Sequence, residues 1–155
     1  MKLTKLLLTL IFSLLLLGLI GCKGQLKPTQ PADAPPTASI SPEQLFLDYK
    51  NNEVAADLKY KNKVLQITGK IEKIAKNLSD EPYIVLDAGK NTIFNVQCFL
   101  PAKDTNCLNQ IAEYSKGQTI IIKGECVGKV GNVLIKQANI GHQDSNGQIK
   151  WICQW

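Results

Sequence analysis

The chain has 155 residues, 45% of them hydrophobic and 20% charged, with a formal net charge of +5. That length gives one compact domain with some sequence left over, and it leaves no room for two full domains. Arginine is absent among the 18 basic residues, so planar bidentate recognition of phosphate or carboxylate is excluded, while lysine remains as a point charge.

Lys2 and Lys5 open the chain, and an apolar run from Leu6 to Ile20 follows, interrupted by Thr9, Ser13 and Gly18. This is the order of a secretory signal, and the run is shorter than the roughly 20 apolar residues of a spanning helix. Leu19-Ile20-Gly21-Cys22 then resembles the lipobox of bacterial lipoproteins. The resemblance implies cleavage that removes residues 1–21, diacylglyceryl on the Cys22 thiol, and a palmitate-type acyl chain on the new amino terminus. Two or more chains anchor stably where one does not, so the partner is a membrane and the address is the cell envelope. Lys23 is not the aspartate that some bacteria read as an inner-membrane signal, which favours the outer membrane over an inner or single one. Sixteen lysines against 13 acids remain after cleavage, a net charge of +3.

Residues 22–40 form a tether, with Pro28, Pro31, Pro35 and Pro36 among small and polar residues. At about 3.1 Å per residue it would hold a domain on the order of 50 Å from the membrane. The domain itself is expected over 41–140. Ser41, Pro42 and Gln44 read as a helix start, with Leu45, Leu47, Val54, Ala55 and Leu58 as its buried face and Asn51-Asn52 weakening its middle. Alternation from Leu65 through Ile67 and Gly69 to Ile71 predicts a half-buried strand. A loop from Ala75 to Pro82 leads to a strand at Tyr83 to Leu86, a hairpin turn at Ala88 to Asn91, and a strand from Ile93 to Leu100. Pro101 ends that strand; Leu108, Ile111, Ala112 and Ser115 keep helical spacing up to Gly117. Gln118 to Cys126 alternates, Gly128 to Asn132 turns, and Val133 to Ile140 is the last regular strand before a tail over 141–155.

The result is a mainly β chain with minor α: five strands preceded by an N-terminal helix, with a helix between the third and fourth. That is the order of an OB-fold barrel. Tyr60 to Gly69, Val96-Gln97-Cys98-Phe99 and Gly117 to Gly128 resemble the tRNA-anticodon-like OB-fold family of bacterial proteins. The resemblance implies a barrel that takes ligands across strands two and three. On this chain that face is the loop from Ala75 to Pro82, the outward Asn95, Gln97 and Phe99, and the turn from Gly128 to Asn132. Gln137-Ala138-Asn139 departs from relatives that carry a cysteine there. Barrel shape alone does not transfer nucleic-acid binding.

His142, the only histidine, lies among Gly141, Asp144, Ser145, Asn146 and Gly147, a solvated setting unlike that of a general base. Nucleophile elbows, His-Glu-x-x-His pairs and phosphate-cradling loops do not occur, so no catalytic, cofactor-binding or metal residues are expected. Cys98, Cys107, Cys126 and Cys153 are spaced by 9, 19 and 27 residues, which does not suit zinc. Export permits disulfides. Alternation turns Cys98, with Phe94 and Val96, and Cys126, with Ile120 and Ile122, toward the interior, so Cys98 to Cys126 is the leading pairing of three connectivities. Cys107 with Cys153 is the remainder, and buried free thiols are the alternative. With lysines interleaved among Glu72, Asp87 and Glu125 and only 6% aromatic residues, no nucleic acid is expected as partner. Ile149, Trp151, Cys153 and Trp155 alternate, which suits either a short strand with both tryptophans inward or an exposed aromatic patch. The function expected is a non-enzymatic binding module for a protein, peptide or small molecule. A structural envelope protein and an envelope enzyme are the alternatives.

Overall fold

The computed structural model describes residues 34–90, 92–153 and 155. The lipobox, Cys22 and most of the tether therefore lie outside the described residues. Pro-rich sequence gives way to structure earlier than residue 40, because β1 (Ala38–Ile40) pairs in parallel with Leu65 to Ile67.

Two short helices follow in place of one. Ser41 caps α1 (Pro42–Asn51), its hydroxyl accepting from Gln44 N at 3.2 Å, and proline fills the first turn where no amide is needed. Asn52 ends α1 by donating its amide to Asp48 O, and starts α2 (Glu53–Tyr60) by accepting from Ala55 N at 3.0 Å. The break turns the helical face. Phe46, Tyr49, Ala56 and Tyr60 join Leu45 in the core, while Leu47, Val54, Ala55 and Leu58, expected inside, are exposed.

The barrel is built from β2 (Val64–Lys76), β3 (Pro82–Leu86), β4 (Val96–Phe99), β5 (Thr119–Val130) and β6 (Asn132–Gln143). In β2 the expected alternation places Leu65, Ile67 and Ile71 inside. The first part of this strand pairs with β5 and the last part with β3, and a register shift between Ile71 and Lys73 accommodates the change of partner. Antiparallel β3–β4, parallel β4–β6 and antiparallel β6–β5 pairs close the circle. Between β4 and β5 lies α3 (Thr105–Glu113), which puts Cys107 and Ile111 into the core. This is a closed five-stranded OB-fold.

The β4 strand is shorter than the run from Ile93 to Leu100. Ile93 and Phe94 stand outside it on an exposed loop, so Phe94 does not share the interior with Val96 and Cys98. At the other end of the chain β6 runs past Ile140 to Gln143, and β7 (Ile149–Trp151) pairs with it antiparallel. Trp151 is half-buried over Gly141, and Trp155 is 44% exposed, so the tryptophans do not both point inward.

Pro42 lies on β2 at Gly69, where any Cβ would collide with the proline ring. With that contact α1 covers one end of the barrel, packing Leu45 and Tyr49 into its mouth. The opposite end, with the β2–β3 loop, the segment after β4 and the C-terminal tail, carries α3, whose Cys107 and Ile111 pack into the core.

Candidate ligand groove

A groove of about 330 Å³ opens at this end beside α3, lined by Asn77, Glu81, Phe99, Lys136, Gln137 and Trp155. Trp155 is also one wall of a shallower depression of about 620 Å³ along Pro101 to Asn106. One ring thus divides a continuous recess running from the β2–β3 loop to the start of α3.

Each wall has a local cause. Asn77 Oδ1 accepts from Ser79 N and Glu81 N, both at 2.9 Å, and Asn77 Nδ2 donates to Glu81 at 2.8 Å, so the loop is folded on a single asparagine. Lys76 and Asp80 pair across it at 3.0 Å. Phe99 ends β4 opposite Tyr83 of β3, their rings 6.1 Å apart and tilted by 54°. Gln137 sits in a bulge of β6 with φ of +48°, where the register against β5 slips between Lys123 and Glu125. Gly124 permits the bulge, since a Cβ there would lie 2.5 Å from Ile135 Cγ2 and 2.9 Å from the Lys136 carbonyl. Gln137 Oε1 is buried, and among the described residues no group donates to it.

Trp155 is held by the strand behind it. Asn139, 4% exposed, accepts from Ile152 N at 3.0 Å and Cys153 N at 2.7 Å, and donates to Cys153 O at 2.8 Å. Its side chain continues the pairing of the tail where backbone pairing with β7 has ended. Trp155 Nε1 donates to Ala138 O at 3.1 Å. A disulfide between Cys107 of α3 and Cys153, with Cα atoms 4.7 Å apart, ties the tail to the helix.

That bridge is the remainder pairing, and the structure corrects the leading one, Cys98 to Cys126. Cys98 and Cys126 are both buried and both free. They face the interior in one row, but each is the register partner of Ile135, so β6 stands between them. Two strand spacings, about 10 Å, exceed the reach of a disulfide. Burial pushes both thiols up, with Cys126 adding to the effect at Cys98. Tyr49 lies 3.4 Å from Cys126 Sγ and donates to Asp57 at 3.1 Å. Protonated thiols in this setting are packing groups, not nucleophiles.

Of the outward residues of β4, Phe99 lines the groove. Asn95 Oδ1 accepts from Ala88 N and Gln97 Oε1 from Asn132 Nδ2, both at 2.9 Å, so these two amides brace loops at the covered end. His142 is exposed near the end of β6 and outside the groove. Among the described residues, no three His, Cys, Asp or Glu side chains converge as a metal site. Gln137, Lys136, Tyr83 and Asn139 are groove or supporting residues that sequence patterning does not single out. The one signal was Gln137-Ala138-Asn139, a polar interruption in an apolar strand.

Barrel topology and the strand-then-glycine motifs coincide with a family model, tRNA_anti-like, that matches residues 1–139. The chain belongs to the tRNA_anti-like family. Among solved structures, this tRNA_anti-like chain is similar to a Klebsiella pneumoniae protein proposed to be a nucleic acid-binding lipoprotein. The two are 14% identical, the match covers 66% of this chain and 91% of that one, and the TM-score is 0.51. At that identity the likeness speaks for the fold. No curated protein matches the sequence.

Proposed function

We propose that the chain is an exported lipoprotein, anchored through lipid on Cys22, whose barrel is a non-enzymatic binding module with its site in the Phe99–Trp155 groove. The observation that carries the binding site is the pairing of two half-exposed aromatic walls with a buried acceptor, Gln137 Oε1, that no described residue matches. A buried polar atom without a partner costs about 1–3 kcal/mol, and a ligand that donates one hydrogen bond there recovers it. Aromatic faces supply the apolar contact. Charge does not select a strongly ionic ligand, because Lys136 and Lys76 stand among Asp80 and Glu81. The lipobox and the lipoprotein name of the Klebsiella protein support the anchor.

Labelling cells with a fatty-acid probe tests the anchor: incorporation falls to background in Cys22→Ala, and undiminished incorporation refutes it. For the groove, crosslinking in native cells with the anchor intact recovers a ligand that Phe99→Ala and Trp155→Ala each lose.

A second reading, single-stranded nucleic acid, is favoured by one feature. The tilted Tyr83–Phe99 pair stands on the two strands on which OB-folds stack bases. Titration with short oligonucleotides at rising salt decides it, since backbone contacts make affinity fall steeply with salt.

A further inference from the structure

Five apolar side chains are exposed together at the covered end of the barrel, opposite the groove. Val54 and Leu58 of α2 are 74% and 80% exposed, Ile93 and Phe94 of the β3–β4 loop 87% and 42%, and Val130 at the end of β5 79%. The loop is fastened to the β5–β6 turn: Asn95 N donates to Asn132 Oδ1 at 2.8 Å, Val133 N to Asn95 O at 2.9 Å, and the Phe94 ring lies on Gly131. Helix α2 lies beside the same turn, with Asp57 against Gly128 and Glu53 paired with Lys129 at 3.5 Å. Lys61 pairs with Asp57 at 3.0 Å. Glu53 and Asp57, beside the cluster, are thus each paired with a lysine, and Lys63 is exposed next to Leu58. Single exposed apolar residues are ordinary, but a rimmed cluster marks an interaction surface.

The chain enters the domain at this same end. Thr37 N donates to Val64 O at 2.8 Å, and Lys63 Nζ, beside that entry, donates to Leu58 O at 3.2 Å. Fifteen residues separate Cys22 from Thr37, a reach of at most about 50 Å.

We propose that the Val54, Leu58, Ile93, Phe94 and Val130 cluster docks onto the lipid surface that holds the anchor. The proposal rests on the reading that Cys22 carries lipid. The anchor confines this end within reach of the bilayer, the apolar side chains enter the headgroup region, and Lys63 beside them meets anionic lipid phosphates. Docking in this pose turns the Phe99–Trp155 groove away from the membrane.

The test uses the full-length acylated chain in nanodiscs of phosphatidylethanolamine and phosphatidylglycerol containing a headgroup spin-labelled lipid, read by amide NMR. Broadening is expected at Leu58, Ile93 and Val130 and not at Asn77 to Glu81, and it is lost in I93S/F94S/V130S and independently in V54S/L58S. Broadening absent from the cluster, or equal at both ends, overturns the proposal, and a cluster that instead crosslinks to a second copy or another protein reassigns the surface to that partner. Intact mass and flotation report the anchor separately. A chain without acyl mass refutes anchor and docking together, whereas an acylated chain with unlocalised broadening refutes docking alone.

Discussion

The two ends of the barrel are built on different terms. At the end covered by α1 and α2 the polar groups beside the core are paired internally: Tyr60 donates to Asp48 at 2.5 Å, Tyr49 to Asp57, and Lys59 and Lys61 complete both carboxylates. At the open, groove-bearing end the tail is fastened by Asn139, by the Ile152 amide and Trp155 indole on β6 carbonyls and by one disulfide, and no described residue donates to Gln137 Oε1. Satisfied polar groups around Leu45 and Tyr49 serve cohesion. An unmatched acceptor beside aromatic side chains costs stability, and on the proposed reading a ligand completes the structure there.

The largest effect should come from the open end's staple. Cys107→Ser with Cys153→Ser removes a closure of 46 residues, worth about 4 kcal/mol by the loop-entropy argument, read as a lower urea midpoint matched by wild type under reductant. Leu45→Ala at the covered end empties a fully buried site and should cost about 3 kcal/mol, with Trp155 fluorescence in the folded state unchanged. Asn139→Ala removes three tail hydrogen bonds, an effect of about 2 kcal/mol. Unlike Leu45→Ala, it should speed amide exchange selectively at Cys153, since Ile152 N keeps its bond to Ile140 O, and uniform acceleration would break the distinction between the ends.

The smallest effect is acid sensitivity confined to the covered end. Hydrogen bonds from Tyr60, then Lys59, hold Asp48 below the ordinary carboxylate range, and Lys61 does the same for Asp57. Both are depressed in the folded state, so their stabilisation is complete near neutral pH and is lost as pH falls from about 5 toward 2. Asp48→Asn should flatten that part of the stability profile; an unchanged slope would remove Asp48 from the account.

Strand patterning was legible because one face of each strand is buried. Leu65, Ile67 and Ile71 in β2 and Ile120, Ile122 and Cys126 in β5 stand inside as alternation requires. It could show which thiols face inward but not which strand lies between them, and so it paired Cys98 with Cys126 and left Cys107–Cys153 only as the remainder. The helical face was misread because Asn52 serves as both cap and breaker, a role fixed by its backbone and not by the spacing of Leu47, Val54 and Leu58. In the groove, Phe99 was legible as an outward aromatic. Gln137 was not, because its placement depends on a bulge that Gly124 permits across the β5–β6 pair, and Trp155 depends on Asn139, sixteen residues away in sequence.

The groove itself is tested most directly by a photo-crosslinking residue installed at position 99 in the full-length, membrane-anchored chain, with a matched substitution at Lys50 on the exposed face of α1 as control. After irradiation in native cells, the intact mass of the recovered chain is measured. The account predicts a discrete added mass from position 99, absent from position 50 and abolished by Trp155→Ala. Equal adducts from both positions, or a position-99 adduct that persists without the Trp155 ring, would contradict it.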